Sequence, residues 1–116
     1  MLNKNVYDSL QDDFGWKRIQ ATIQGKEIRN NFRNAHGDVI SLYHDNKSDV
    51  DFIEAYGRRY VIPTEDVIVK MSSAPNQNRN SAVARFIDMM ADRIINGAEV
   101  KEQSVFDAGK GKRSSK

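Results

Sequence analysis

The stretch from Trp16 to Met71 alternates between apolar and polar residues in short runs, and this pattern constrains the fold more than any other feature of the chain. The runs are separated by turn-forming residues, including glycines at positions 25, 37 and 57. Alternation with a period of two places one face of a strand against a core and the other in solvent. Five or six strands of about five residues, joined by turns, are therefore predicted.

The predicted strands end at residues that cannot continue a ladder. Pro63 has no N–H to donate, so one strand ends there, and Thr64 to Asp66 are predicted to form a single helical turn. With so few strands, closure into a barrel is favoured because it removes exposed edges. The predicted strands cover residues 16–23, 28–33, 39–43, 50–53, 58–62 and 67–71.

The end of this stretch, from Tyr56 to Val69, has the order of a short strand pair, one helical turn and a final strand. The residues that carry this order are Gly57, Tyr60, Val61, Pro63, Glu65, Asp66 and Val67. In this order the chain resembles the SH3-like small barrels, the group that includes Tudor and KOW domains. The resemblance covers about half of the chain and implies a closed barrel that binds a ligand. An OB-like barrel is the alternative.

A short helix is predicted before the strands, within residues 1–15. Val6, Leu10 and Phe14 recur at every fourth position, as on one face of an amphipathic helix, and Gly15 follows as a natural stop. The predicted fold class is α+β, mainly β: a five- to six-stranded SH3-like barrel over 16–71, with this short helix before it and a longer C-terminal helix after it.

The C-terminal helix is predicted over 80–97, after a linker over 72–79. Asn80 or Ser81 can cap its start, and Gly97 can end it. Its wide apolar stripe must be covered by the barrel or by another chain, so a homodimer through this helix is one expectation. Residues 98–116 are predicted to form a flexible basic tail. The candidate partner-binding residues on the stripe are Phe86, Met89, Met90 and Ile94.

The composition is that of an ordinary globular chain, with 29% charged and 39% hydrophobic residues. No cysteine is present, which excludes a disulfide scaffold or a zinc ribbon and fits a reducing compartment, so a cytoplasmic location is predicted. The start of the chain has no apolar signal-peptide region, and no apolar run is long enough to span a membrane.

Enzymatic chemistry is not expected. The two histidines, His36 and His44, fall in or beside predicted turns, and the acids near His44 match no metal-binding spacing. A polar hairpin is the favoured interpretation of that segment, in which Asp and Asn side chains bind their own backbone. No catalytic residue, metal or cofactor is therefore predicted.

Cations interleaved with aromatic residues indicate nucleic-acid binding, because cations can meet phosphates while rings stack on bases. We therefore predict a small, non-enzymatic, DNA- or RNA-binding accessory protein with the compact look of a phage or mobile-element product. The alternative is a protein-interaction module or inhibitor that binds a host protein through its barrel or C-terminal helix. The candidate nucleic-acid-binding residues are Lys17, Arg18, Arg29, Arg33, Arg58, Arg59, Tyr60, Lys110, Lys112 and Arg113.

Overall fold

The structure, a computed structural model, describes residues 2–72 and 78–109, with residues 98–109 described by their backbone alone. The fold is α+β, with a six-stranded antiparallel sheet, a short N-terminal helix and a long C-terminal helix, as predicted. The elements in chain order are α1 (Lys4–Phe14), β1 (Lys17–Arg18), β2 (Thr22–Gln24), β3 (Glu27–Arg33), β4 (Val39–Asp45), β5 (Val50–Ala55), β6 (Arg58–Ile62), α2 (Glu65–Met71) and α3 (Arg79–Gly109).

The sheet is a meander in which β3, β4, β5 and β6 pair in sequence order, and both β1 and β2 pair with the outer side of β3. The β5–β6 turn brings Tyr56 and Gly57 to positive φ values of 53° and 74°, the left-handed conformation that a tight hairpin turn of this kind requires. Within the described residues no pairing joins β6 to β1 or β2, so closure of the predicted barrel is not shown.

All three helices contribute to the core on one face of the sheet. Asn3 caps α1 by accepting hydrogen bonds from the backbone of residues 5 and 6, and Gly15 ends it with φ 72°. α3 contacts α1, α2 and β5. The core residues are Val6, Leu10, Trp16, Phe32, Ile40, Leu42, Ile53, Ala55, Ile62, Ile68, Ala82, Val83, Ala84, Ile87, Ala91, Ile94 and Ile95.

Two strand predictions were wrong. The predicted strand over 16–23 is split into β1 and β2, and its Ile23 is 75% exposed. The predicted last strand over 67–71 belongs to helix α2, which Thr64 caps by accepting from the Val67 N–H. A short helix packed on α3 buries Ile68, and this tertiary contact overrides the β preference of the valines and isoleucine.

The bounds of α3 also differ from the prediction. Asn78, rather than Asn80 or Ser81, caps its start by accepting from the N–H groups of both those residues. The helix passes through Gly97 and continues to Gly109. A glycine inside a helix costs only about 1 kcal/mol relative to alanine, so it need not end one. Among the described residues, no helix combines the length and apolar character that a membrane span needs.

Candidate functional site

The sheet has a second face, here called the open face, which is turned away from the helices. Directly paired residues of antiparallel strands point to the same side, so the register assigns the face of each side chain. Phe32, Ile40, Leu42 and Ile53 point toward the helices, and their neighbours in sequence point to the open face. The open-face residues include Lys17, Arg29, Asn31, Arg33, Ser41, Tyr43, Phe52, Glu54, Arg59 and Val61.

Two aromatic rings and two arginines form the centre of the open face. Tyr43 and Phe52 are stacked, with ring centroids 5.4 Å apart and planes inclined by 27°. The Arg29 guanidinium lies 4.2 Å from the Tyr43 centroid, and that of Arg59 lies 4.6 Å from the Phe52 centroid. Tyr43 is only 3% exposed, although it lies outside the apolar core cluster. We call these four residues, together with Glu54, the arginine–aromatic cluster.

Glu54 is the acid at the middle of this cluster. Its Oε1 lies 3.1 Å from Arg29 Nη1, and it accepts a hydrogen bond of 3.3 Å from the Tyr43 hydroxyl. It is also the direct cross-strand partner of Arg59. Arg29 has a second acidic partner, Glu27, at 3.0 Å. Hence two acids neutralise Arg29, whereas Arg59, the other arginine of the cluster, has no ion pair among the described residues.

The ionisation of the cluster follows from these contacts. Burial lowers the pKa of Arg29, but its hydrogen bonds to Glu54 and Glu27 outweigh this effect and raise the pKa overall. Burial raises the pKa of Tyr43, against the opposing effect of a hydrogen bond from Arg59. At neutral pH the cluster therefore holds a charged guanidinium and a protonated phenol.

Lys17 and Arg33 are directly opposite each other in the β1–β3 pair, also on the open face. Both are exposed, and neither has an ion-pair partner among the described residues. Like charges opposite each other in a sheet are destabilising, so this exposed pair carries a small local cost, and no described residue neutralises either charge by an ion pair. Residues that break a local rule in this way are common at functional sites.

The remaining predicted cations of the sheet lie on the helix-covered side. Arg18 donates to Asn30 at 2.7 Å and lies 4.9 Å from the Tyr7 centroid. Arg58 reaches α3, where a Cβ added at Gly97 would lie 3.5 Å from its Nη1. Tyr60, directly paired with Ile53, is 47% exposed at the edge of that side. The predicted set is thus divided, with Lys17, Arg29, Arg33 and Arg59 on the open face. Lys110, Lys112 and Arg113 lie outside the described residues.

The predicted partner-binding stripe of α3 is largely used inside the fold. Ile94 is buried in the core, and Phe86 and Met90 are partly buried against it. Met89 is 48% exposed and lines a cleft of about 630 Å³ between α3 and the β3–β4 loop. The same cleft contains His36 and carboxylates, among them Asp88, which accepts a 2.8 Å hydrogen bond from the Trp16 indole. The carboxylates make this cleft unsuited to a polyanion.

His44 lies between two acids, with Nε2 3.0 Å from Asp49 and Nδ1 3.1 Å from Asp51. Asp45 accepts from Ser48 and from the backbone of Lys47, as expected of a polar hairpin whose acids bind local groups. Among the residues whose side chains are described, no group of three or more His, Asp or Glu side chains could hold a metal ion.

Sequence reasoning missed Tyr43, Phe52 and Glu54 as members of a site. Each occupies an ordinary position in an alternating strand, and only the register between strands brings them together. The available signal was that residues 39–43 carry apolar or aromatic side chains on both faces, whereas a strand with one solvated face usually alternates apolar and polar residues.

Comparison of the chain with protein-family models, with curated proteins and with solved structures gives no match.

Proposed function

We propose that this chain is a small non-enzymatic, cytoplasmic protein that binds single-stranded nucleic acid on the open face of its sheet. The observation that carries the proposal is the pair of Lys17 and Arg33, which have no ion-pair partner among the described residues and lie on the same face as the arginine–aromatic cluster. Phosphate groups bound at the two cations would screen the repulsion that they otherwise experience.

The cluster supports a single-stranded ligand. The faces of Tyr43 and Phe52 are occupied by guanidinium groups, so the outermost planar surfaces of this region are those of the arginines. Guanidinium planes stack on unpaired bases, which a duplex does not offer. From Arg33 to Arg59 the sheet crosses three interstrand spacings, roughly 15 Å, which a few nucleotides can cover.

The number of available cations sets the expected salt dependence. Lys17, Arg33 and Arg59 have no ion-pair partner among the described residues and can each meet one phosphate. Each contact with a single strand contributes about −0.7 to the slope of log K against log salt concentration, so the expected slope is about −2. Binding is therefore moderate, and strongest at low salt.

The test is a fluorescence-anisotropy titration of dT12, rU12 and a duplex of equal length at about 50 and 200 mM salt. We expect binding of the single strands in preference to the duplex, with the slope given above. The Lys17→Ala/Arg33→Ala variant should lose most of this binding. Lys4→Ala/Lys70→Ala removes the same charge from exposed helical positions and should bind as the unchanged chain does. Equal losses in both variants, or no binding at the lower salt concentration, would contradict the proposal.

A second candidate function, protein–protein interaction, is favoured by one observation. Ile23 and Ile28 are directly paired at the β2–β3 hairpin and are 75% and 59% exposed. Two adjacent exposed isoleucines are suited to contact with another protein surface. The Ile23→Thr/Ile28→Thr variant should lose association seen by analytical ultracentrifugation and retain oligonucleotide binding. A monomeric unchanged chain would leave this candidate without support, and loss of oligonucleotide binding instead would assign the hairpin to the nucleic-acid site.

A further inference from the structure

Glu54 is the acid at the centre of an otherwise cationic group. Its Oε1 contacts the Arg29 guanidinium at 3.1 Å and the Tyr43 hydroxyl at 3.3 Å, and across the β5–β6 ladder it faces Arg59. Its side chain is 31% exposed, so these contacts are open to solvent from one side. The Glu54 carboxylate therefore lies between the two arginines that cover the aromatic rings.

A carboxylate and a phosphate present the same kind of acceptor to a guanidinium. Both bind arginine through charge-assisted hydrogen bonds, in geometries that a planar guanidinium recognises equally. A phosphate that approaches the cluster would therefore compete with Glu54 for Arg29. Glu27 differs in this respect, because it contacts Arg29 but neither Tyr43 nor Arg59 among the contacts of the described residues.

We infer that Glu54 occupies the place of a ligand phosphate between Arg29 and Arg59, and acts as an internal competitor that a bound strand must displace. This inference rests on the proposed function, because it concerns the same face. Displacement of Glu54 releases Nη1 of Arg29 for a phosphate contact, while Glu27 keeps its contacts with Nε and Nη2. The stack of arginines and rings stays in place for a base. The competitor lowers the affinity for isolated anions, which cannot compensate for its displacement with other contacts.

The expected effect of removing the competitor is a gain in affinity. Glu54→Gln keeps the size of the side chain and a carbonyl oxygen for Tyr43, but it removes the negative charge. A partly exposed ion pair contributes modestly, so we expect dT12 and rU12 to bind about three- to fivefold more tightly. The released Nη1 of Arg29 adds one phosphate contact, so the salt slope should steepen by about 0.7.

The experiment is the anisotropy titration of dT12 and rU12 at two salt concentrations, performed on the full chain, on Glu54→Gln and on Asp12→Asn. Asp12 is exposed on α1, and its substitution makes the same change in net charge away from the open face. A thermal melt of each chain monitors folding, and Glu54→Ala is a second variant with the same expected direction if the glutamine disturbs the cluster.

Tighter binding and a steeper slope for Glu54→Gln than for Asp12→Asn would support the inference, as would binding by Glu54→Gln alone. Equal affinities for the two variants would overturn it while leaving the proposed function intact. Absence of binding by all of the chains at the lower salt concentration would overturn both proposals. The two failures are therefore distinguishable.

Discussion

The helix-covered face and the open face are built from alternate residues of the same strands. On β3 to β5 the helix-covered face presents Phe32, Ile40, Leu42 and Ile53, which are all fully buried in one apolar cluster with the helices. The open face presents arginine, tyrosine, phenylalanine and glutamate, and its most buried ring, that of Tyr43, lies outside the apolar cluster. The helix-covered face is thus buried by the helices, whereas the rings of the open face are covered by side chains of the sheet itself.

This difference shows how a sheet can leave one face without a helix. The aliphatic stems and planar heads of Arg29 and Arg59 lie on the rings and remove them from water, while the charges stay accessible. The covering layer is one side chain thick, so it stabilises less than a helix would. It also leaves the charged groups where a ligand can reach them, which the helix-covered face cannot do.

The largest expected effect comes from the helix-covered face. Phe32 is fully buried, and Phe32→Ala should lower the free energy of unfolding by about 3–5 kcal/mol, because it removes a large apolar side chain and leaves a cavity. Val61→Ala, on the open face and 49% exposed, is the control and should change stability by about 0.5 kcal/mol or less. Urea denaturation measures both, and similar losses would mean that the two faces do not differ as described.

A smaller loss is expected within the arginine–aromatic cluster. Arg29→Ala removes a cation–π contact and two ion pairs of a side chain that is 17% exposed, and should cost about 1–2 kcal/mol. Arg33→Ala, on the same strand and face but without an ion pair among the described residues, should change stability by about 0.5 kcal/mol or less in either direction, because it also relieves the repulsion with Lys17. A cost for Arg33→Ala as large as that for Arg29→Ala would show that the cluster has no special part in covering the face.

The loss of stability at alkaline pH tests the burial of Tyr43. Because burial raises its pKa, the folded chain retains the phenol proton above the unfolded value of 10.0. The resulting stabilisation is fully present below pH 10.0 and is lost as the pH rises toward the folded pKa. Thermal melts between about pH 9 and 11 should show a smaller alkaline loss for Tyr43→Phe than for the unchanged chain. An equal loss in the two chains would contradict a buried, protonated Tyr43.

Tyr7 provides the comparison from the other side of the sheet. Burial also raises its pKa, opposed by the nearby charge of Arg18 and reinforced by that of Asp51. Tyr7→Phe should therefore reduce the alkaline loss in the same direction, and the double variant should reduce it further. If Tyr7→Phe reduces the alkaline loss and Tyr43→Phe does not, the side chains of the open face do not bury Tyr43 as the helix-covered face buries Tyr7.

The sequence predicted the parts of the fold that depend on local patterns. The turns at Gly25 and Gly57, the strands that follow them and the Gly15 stop all come from the conformations that those residues allow. The helical state of 67–71 was missed, because a valine-rich run reads as a strand until its packing on α3 is known. The same limit applies to α3, whose passage through Gly97 is not visible in the local pattern.

The candidate site was predicted only in part, for a related reason. Cations and aromatics could be recognised as residue types, and four of the six predicted sheet cations share the open face. Their assignment to faces depends on register, which alternation alone does not fix across strands. Arg58 and Arg59 are adjacent in sequence and therefore point to opposite sides, so the hairpin that looked like one basic feature contributes one cation to each face.

The smallest expected change in stability is also the most informative about the open face. Lys17→Thr removes the repulsion with Arg33, so it should raise the free energy of unfolding by a few tenths of a kcal/mol. Lys17→Glu replaces the repulsion with attraction and should raise it somewhat more. Oligonucleotide binding should weaken along the same series. The threonine variant loses a phosphate contact, and the glutamate variant binds most weakly because its negative charge repels the phosphate. A chain that gains stability while losing its ligand would show that this cation pair is kept for binding and not for folding. Loss of stability in both variants would instead give Lys17 a structural part in the β1–β3 pair.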